Sequence, residues 1–354
     1  MSSIVGVTTA APSHRVTQHE VRDFICSLFA GSDLPVDRLV PVFENSGIGC
    51  RQFSAPLEWY SESHTFAERN RIYVETALDL SEQAVADVCS ATGIAPSRVD
   101  HIFFVSSTGL STPSLDAYLL NRVDFQESIR RTPIWGLGCA GGVGGLSRAH
   151  DWLKGHPEGC ALVVAVELCT LTFLKDDLSK RNFVATALFG DGCGAAILVG
   201  DAFEGASKRS LHIDATHAVT WRDSLDVMGW NLQEEGLKVV FSKSIPDIVR
   251  RRARSSIEAF LDGFSLSIND MDAFLAHPGG MKVIAAYQEA LGLSENALMH
   301  TRAVLQSNGN MSSATVFFVL KRYLEASSYR PGERVLSCAL GPGFSSEMFL
   351  ARSA

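Results

Sequence analysis

The pattern of apolar and polar positions repeats itself once along the chain. A buried-strand pattern follows Asp100, and a similar pattern follows Asp272, 172 positions later. Two continuous apolar runs place Val163 opposite Val335, again 172 positions apart. Such runs are typical of central strands in sheets that are covered on both faces. The spacing therefore predicts one α/β unit that is used twice.

A glycine turn that opens an amphipathic helix is the second repeated feature. The turn at 138–141 opens a helical pattern that runs to Leu153, and the turn at 309–312 opens one that runs to Leu324. Strands that alternate with helices, duplicated once, predict an α/β fold whose two halves pack in layers around a pseudo-twofold axis. We place the halves at residues 1–205 and 206–354 and expect equivalent turns to meet near the axis.

The composition is that of a globular chain without a strong positive field. Of its 354 residues, 46% are hydrophobic and 20% are charged, and the formal net charge is −8. This charge disfavours binding to nucleic acid. No apolar run reaches the ~18 residues of a membrane span, and the first residues lack the basic and apolar regions of a signal peptide. We therefore expect a cytoplasmic protein.

The eight cysteines are scattered singly and show no Cys-x-x-Cys spacing. Most of them lie in apolar strings, as Cys160 does. This pattern is typical of reduced, buried thiols in a reducing compartment. It predicts neither disulfides nor a zinc or other metal site.

Three residues from distant parts of the chain are candidates for covalent catalysis. Cys139 lies at a predicted helix N-terminus, which stabilises a thiolate, and His277 ends a buried strand. The repeat places Asn310 opposite Cys139. Taken singly, they could be a small buried thiol, a core or loop histidine and a turn residue. Together, Cys139 supplies a nucleophile and His277 a base. The imidazole of His277 and the amide of Asn310 also supply two N–H donors that can hold a thioester carbonyl.

The glycines around Cys139 also satisfy the dinucleotide-binding pattern G-x-G-x-x-G, through Gly136, Gly138 and Gly141. That fold requires an acidic residue about 20 positions further along, at the end of the next strand. The nearest candidate, Glu167, is 26 positions beyond Gly141 and lies inside an apolar run. The pattern is therefore weak support for a nucleotide site.

The motifs of the whole chain resemble those of the type III polyketide synthases, the chalcone-synthase-like branch of the thiolase superfamily, which includes bacterial alkylpyrone synthases. The motifs begin at Gly138 (Gly-Cys-Ala-Gly-Gly), Ala187 (Ala-Leu-Phe-Gly-Asp-Gly), Ala276 (Ala-His-Pro-Gly-Gly), Gly309 (Gly-Asn-Met-Ser-Ser) and Gly341 (Gly-Pro-Gly). The resemblance implies a thiolase-like fold with αβαβα layers. It further implies that Cys139 takes an acyl group from a CoA thioester and that His277 holds this thiol as a thiolate. His277 and Asn310 would bind malonyl-CoA and promote its decarboxylation, with CoA thioesters as substrates and no other cofactor.

The resemblance also implies where the substrates bind. Phe189 matches a gatekeeper between the CoA tunnel and the cavity, and Val239 occupies the second gate position. The implied cavity positions are Ser107, Thr108, Cys169, Thr172, Trp230 and Ser312, with the motif of Gly341, Pro342 and Gly343. Arg38 and Arg51 are the nearest matches to the residues that bind the CoA phosphates. Thr112 matches a loop that reaches into a neighbouring subunit, which implies a homodimer.

The product class follows from two of these positions. The pair Thr108 and Cys169 is similar to the residues at these positions in family members that thread a long aliphatic chain through a side tunnel. The indole of Trp230, in contrast, fills much of a cavity. We therefore expect a fatty acyl starter, few extensions, and closure to an alkylpyrone or, as a less favoured outcome, an alkylresorcinol. The alternatives are a β-ketoacyl carrier-protein synthase III-like enzyme, a cysteine hydrolase and a non-enzymatic nucleotide-binding module.

Overall fold

A computed structural model describes residues 2–204 and 209–354. The predicted boundary between residues 205 and 206 lies outside the described residues. The strands are β1 (Ser2–Ala10), β2 (His14–Thr17), β3 (Cys50–Phe53), β4 (His101–Val105), β5 (Arg130–Ile134), β6 (Cys160–Leu168), β7 (Asp191–Gly200), β8 (Leu211–Thr220), β9 (Met228–Gln233), β10 (Gly236–Phe241), β11 (Ala273–Ala276), β12 (Arg334–Gly341) and β13 (Ser345–Ser353).

Helices cover the strands and connect them. They are α1 (Gln18–Leu28), α2 (Val36–Leu39), α3 (Pro41–Glu44), α4 (Phe66–Thr92), α5 (Leu115–Leu119), α6 (Gly141–Lys154), α7 (Lys180–Thr186), α8 (Ile245–Asp262), α9 (Met281–Leu291), α10 (Met299–Asn308) and α11 (Thr315–Leu324). The longest, α4, begins at a reciprocal cap between Thr65 and Glu68 and ends at Gly93, whose φ of 70° is left-handed.

The duplication predicted from the sequence is present in the strand order. In the first half, strands lie in the order β4-β6-β7-β1, and in the second half in the order β11-β12-β13-β8. In each set the first two strands are parallel and the others antiparallel. Even single hydrogen bonds repeat, because the carboxylates of Asp100 and Asp272 each accept a backbone N–H at 2.8 Å, from Cys160 and Arg334 respectively.

The two halves are joined more closely than the sequence predicted. Residues 2–4 of β1 pair antiparallel with residues 211–213 of β8, which makes one nine-stranded sheet among the described residues. The unpaired edge of one half-sheet is thus satisfied by the other. The αβαβα layering is nevertheless as predicted. Helices α6 and α11 share a core with both half-sheets, α4 covers the outer face of the first half, and α8 and α9 cover that of the second.

Close packing at the centre brings the two predicted turns together. A Cβ atom on Gly142, at the start of α6, would lie 2.2 Å from the backbone oxygen of Ser313. Only a glycine permits this approach. The 3₁₀ turns that precede α6 (Gly138–Ala140) and α11 (Ser312–Ala314) therefore touch across the axis.

A two-stranded hairpin lies outside the main sheet and was not predicted. Strands β9 and β10 pair with each other, with Trp230 opposite Val239. The side chain of Arg69 donates to the backbone oxygen of Glu235 at the hairpin turn, and Lys238 forms an ion pair with Asp177 at 3.2 Å. Among the described residues, no helix is long and apolar enough to cross a membrane.

Candidate active site

Cys139 lies in the 3₁₀ turn that leads into α6, and its side chain is buried. Ser312 and Asn310, from the opposite half of the chain, lie close enough to the thiol to lower its pKa. Gly138 has a φ of 46°, and a Cβ atom there would lie 2.7 Å from the ring of Pro342. The Gly-Pro-Gly motif therefore supports the turn that carries the thiol.

Asn310 is fixed by four hydrogen bonds. Its backbone N–H donates to the oxygen of Leu188 at 2.8 Å, and its backbone oxygen accepts from Gly190 at 3.0 Å. Its carboxamide oxygen accepts from the N–H of Ser312 at 2.9 Å, and its Nδ2 donates to the oxygen of Gly279 at 3.1 Å. One Nδ2–H remains for another acceptor.

His277 immediately follows β11, and its backbone N–H donates to the oxygen of Cys338 at 2.8 Å. Both ring nitrogens are buried, and neither has a hydrogen-bond partner among residues 2–204 and 209–354. Buried polar atoms without partners are costly and rare in folded proteins. Because Asn310 contacts both the Cys139 thiol and Gly279, two residues beyond His277, it connects the two predicted catalytic segments.

Burial opposes charge on both reactive groups. It raises the pKa of the Cys139 thiol to about 12, an effect that hydrogen bonding from Ser312 opposes and the nearby Glu167 carboxylate reinforces. Burial likewise lowers the pKa of His277 to about 3. The enclosed site therefore favours a neutral thiol and a neutral imidazole, which differs from the thiolate implied by the family resemblance.

Glu167 was considered in the sequence only as a nucleotide ligand, but it belongs to this site. Its carboxylate accepts hydrogen bonds from the backbone N–H and hydroxyl of Ser107, at 3.0 and 2.9 Å, and from the hydroxyls of Thr108 and Ser313, at 2.9 and 2.6 Å. These protein donors leave no role for it in binding a ribose. Its position inside the fully buried strand β6 was the available signal, because a buried acid requires partners.

Five of the predicted substrate-binding residues line a cavity beside the thiol, namely Phe189, Trp230, Val239, Ser312 and Pro342. The hairpin contributes Met228 and Phe241, which the sequence did not predict. The rings of Trp230 and Phe189 lie 6.1 Å apart. Gly341 instead packs against the backbone of Leu137, and Gly343 lies next to Thr220, so these two glycines shape the wall from behind.

A second cavity shares the Phe189 and Val239 side chains with the cavity beside the thiol. Its wall includes the predicted residues Cys169 and Thr172, and side chains of α1 complete it. Thr108 and Thr172 also line a smaller pocket beside Arg69. Phe189 therefore separates two cavities, one of which contains the thiol.

The N-terminal domain of chalcone and stilbene synthases matches residues 56–202, and the C-terminal domain matches residues 215–354. The chain belongs to the chalcone and stilbene synthase family. It is 45% identical to a putative chalcone synthase of Bacillus subtilis, over 99% of this chain and 98% of the relative. It is 35% identical to the 1,3,6,8-tetrahydroxynaphthalene synthase of Streptomyces peucetius, over 99% of this chain and 93% of the relative.

Solved structures agree with this assignment. The type III polyketide synthase that makes 1,3,6,8-tetrahydroxynaphthalene in Streptomyces coelicolor superposes with a TM-score of 0.93 at 26% identity, and the match covers 99% of each chain. The synthase PKS-I of the brown alga Ectocarpus siliculosus also gives 0.93, at 27% identity, over 100% of this chain and 98% of that one. The protein is a type III polyketide synthase, an acyltransferase that condenses malonyl-CoA. The family match favours this assignment over the carrier-protein synthase, hydrolase and nucleotide-binding alternatives.

The two arginines predicted to bind CoA phosphates differ in their exposure to solvent. Arg38 is exposed on α2, where a phosphate can reach it. Arg51 has no exposed surface, and its guanidinium is bonded to Phe189 and Gln18. The prediction for Arg51 is therefore wrong, because its neighbours from distant segments seal it inside.

The pH dependence of Cys139 alkylation is expected to depend on His277. If the imidazole accepts the thiol proton, His277→Ala leaves the thiol to ionise against its burial, so the rate of alkylation at each pH below the raised pKa should fall by about tenfold or more. The measurement is iodoacetamide labelling of Cys139 followed by mass spectrometry between about pH 6 and pH 10. His300→Ala, which changes another buried histidine, is the control and should leave the profile unchanged. An unaltered profile in His277→Ala would exclude His277 as the proton acceptor.

Proposed function

We propose that this synthase loads a fatty acyl group from CoA onto Cys139, extends it a few times with malonyl-CoA, and closes the product to an alkylpyrone. Closure to an alkylresorcinol is the less favoured alternative. The observation that supports a fatty acyl starter is the second cavity, which shares the Phe189 and Val239 side chains with the Cys139 cavity.

The polar atoms around the second cavity are already used by the protein. The Tyr60 hydroxyl bonds to the Thr170 hydroxyl at 2.7 Å, and the Thr172 hydroxyl donates to the oxygen of Cys169 at 2.7 Å. Asn182 donates to two backbone oxygens, and the Thr186 hydroxyl donates to a third. The cavity consequently presents a hydrocarbon surface, which suits an aliphatic chain better than a hydroxylated ring.

Loading begins when the thioester carbonyl of the starter reaches Cys139. The thiol proton passes to His277 as the sulfur attacks the carbonyl, and the leaving CoA thiolate recovers a proton from the imidazolium. This transfer avoids a free buried thiolate, which the raised pKa of Cys139 disfavours. The ring nitrogens of His277 are free to take part because they have no partner among the described residues.

Extension uses the same two donors in another way. His277 and the remaining Nδ2–H of Asn310 hold the thioester oxygen of malonyl-CoA, so that the electron pair released with CO₂ is stabilised as an enolate. The enolate carbon attacks the acyl carbonyl and displaces the Cys139 sulfur, which leaves the lengthened chain as a CoA thioester. The sulfur then attacks that thioester and releases CoA, so that the chain is reloaded for another cycle. After the last extension, an enol oxygen of the chain attacks its thioester carbonyl, closes the pyrone ring and releases the thiol.

Narrowing the second cavity should shorten the preferred starter. Ala185 lines this cavity, and Ala185→Phe removes space for about two methylenes, each worth ~0.8 kcal/mol of burial. We expect kcat/KM for long acyl-CoA starters to fall by about tenfold, with short starters changed by less than about twofold. The measurement is a mass-spectrometric product survey with acetyl- to stearoyl-CoA and malonyl-CoA. Cys139→Ala is the control and should make no condensation product while retaining some malonyl decarboxylation. An unchanged preference in Ala185→Phe would disprove the assignment of this cavity to the starter.

The size of the product is expected to depend on Trp230. Its indole occupies the Cys139 cavity next to Phe189, so Trp230→Gly should admit one or more further extensions. Product masses from one starter measure the change. Leu232→Gly alters an exposed position on the same strand and controls for weakening of the hairpin. If Trp230→Gly yields products of unchanged length, the indole does not limit extension.

The proposal includes a homodimer in which β5 lies at the contact between the two copies. This strand is the last in the sheet among the described residues, so its outer backbone groups can pair with a second copy. Trp135 follows it with 56% of its surface exposed, and Tyr118 and Leu110 are also exposed. Thr112 lies exposed in the loop between these two residues. A twofold contact would cover this apolar surface.

Disrupting that surface should dissociate the dimer. Trp135→Glu places a charge in the proposed contact, and sedimentation at micromolar concentration should then report a monomer. Leu225→Glu is the control, because Leu225 is 83% exposed in a different loop. A monomeric wild-type chain would refute the proposed contact.

A further inference from the structure

Arg51 is the largest side chain that is completely buried, and the proposed reaction gives it no role. A buried guanidinium is costly, and apolar replacements of buried ionic groups are often neutral or stabilising. Its Nε has no partner within residues 2–204 and 209–354, although the Asp191 carboxylate is close enough to stabilise the positive charge. Retention of such a group in a well-packed interior points to a task other than stability.

The donors of Arg51 hold the segment that carries Phe189. Nη1 donates to the backbone oxygen of Phe189 at 2.9 Å, and Nη2 donates to the Gln18 carboxamide oxygen at 2.5 Å. Gln18 in turn donates from Nε2 to the backbone oxygen of Ala187 at 3.0 Å. The segment from Ala187 to Phe189 is therefore bonded to Arg51 both directly and through Gln18.

The stem of Arg51 supports the place where Phe189 and Asn310 meet. A Cβ atom on Gly190 would lie 3.2 Å from the Cβ of Arg51, and one on Gly309 would lie 3.1 Å from its Cδ. Phe189 and Asn310 form a parallel backbone bridge between these two glycines. Arg51 thus packs against the backbone on which both Phe189 and Asn310 are carried.

Gln18 extends this arrangement to the wall of the second cavity. It is the first residue of α1, and Val21, Phe24 and Ile25 of that helix line the cavity. Gln18 also donates to Ser46 and to the oxygen of Phe43, so its carboxamide has few other orientations. The wall, Phe189 and Asn310 are consequently connected through one buried pair.

We propose that Arg51 and Gln18 act as a positioning pair that holds Phe189 between the two cavities and keeps Asn310 in place beside Cys139. Neither residue contacts substrate. An arginine is required because its planar fork can reach two acceptors at once, whereas a lysine presents a single point of charge. The Asp191 carboxylate balances this charge without competing for the fork, since it is bonded to Ser54 and Thr170.

The test compares Arg51→Lys and Arg51→Met with wild type at a temperature where thermal unfolding shows all three to be folded. Because Asn310 shifts relative to the reacting atoms, we expect kcat for malonyl-CoA decarboxylation to fall by about tenfold in Arg51→Met, with KM changed by less than about threefold. Arg51→Lys should be intermediate. Alkylation of Cys139 should be slower at each pH in both variants, because Asn310, which lowers the pKa of the thiol, shifts relative to it.

Two further variants make the test specific. Arg148→Met removes another arginine that donates to a backbone oxygen and a carboxylate, those of Gly144 and Glu347, and should leave kcat and the profile unchanged. Gln18→Leu should lower kcat, and the double variant with Arg51→Met should be no worse than Arg51→Met alone, because the two residues act as a unit.

The proposal is overturned if folded Arg51→Met keeps the wild-type kcat and alkylation profile, if Arg148→Met shows the same losses, or if the effects at Arg51 and Gln18 multiply. The inference rests on the proposed role of Asn310 in decarboxylation but not on the starter. A wild-type enzyme that rejects fatty acyl-CoA would refute the starter, while the alkylation profiles, which need no CoA substrate, would still decide the role of Arg51.

Discussion

The contact between the starts of α6 and α11 is the constraint on which the site depends. Gly142 packs against the backbone of Ser313 at a distance that no larger residue permits, and the two preceding turns touch as a result. The Cys139 thiol from one half of the chain and the Asn310 carboxamide from the other lie close together because these backbones are so close. The layered sheet around them serves to hold that contact rigidly.

Burial determines the chemistry that this contact can support. Burial disfavours charge on the Cys139 thiol and on the His277 imidazole, so the proposed reaction starts from two neutral groups rather than from a standing ion pair. The same enclosure strengthens each hydrogen bond to a developing oxyanion. Glu167 also affects the site. It accepts hydrogen bonds from Ser107, Thr108 and Ser313, and its negative charge raises the pKa of the Cys139 thiol.

The sequence predicted the features that repeat and missed those that depend on single distant neighbours. The duplicated α/β halves and the meeting of the Cys139 and Asn310 turns followed from periodicity and glycine placement, which are local signals. The burial of Arg51 did not, because the groups that enclose it come from residues near 18, 189 and 309. The short pairing between β1 and β8 produces no sequence pattern from which it could be predicted. The hairpin had one usable signal, the Glu-Glu-Gly turn that ends at Gly236 between two strand-like runs.

The position of the β9–β10 hairpin outside the continuous sheet has an evolutionary consequence. It supplies Trp230, Val239 and Phe241 to the space around the thiol, yet none of its backbone belongs to the sheet that holds the catalytic turns. Substitutions in this ribbon can therefore remould the reaction chamber while the thiol, imidazole and carboxamide stay where they are. Diversity of polyketide products can arise in this way on a scaffold whose reactive centre does not change.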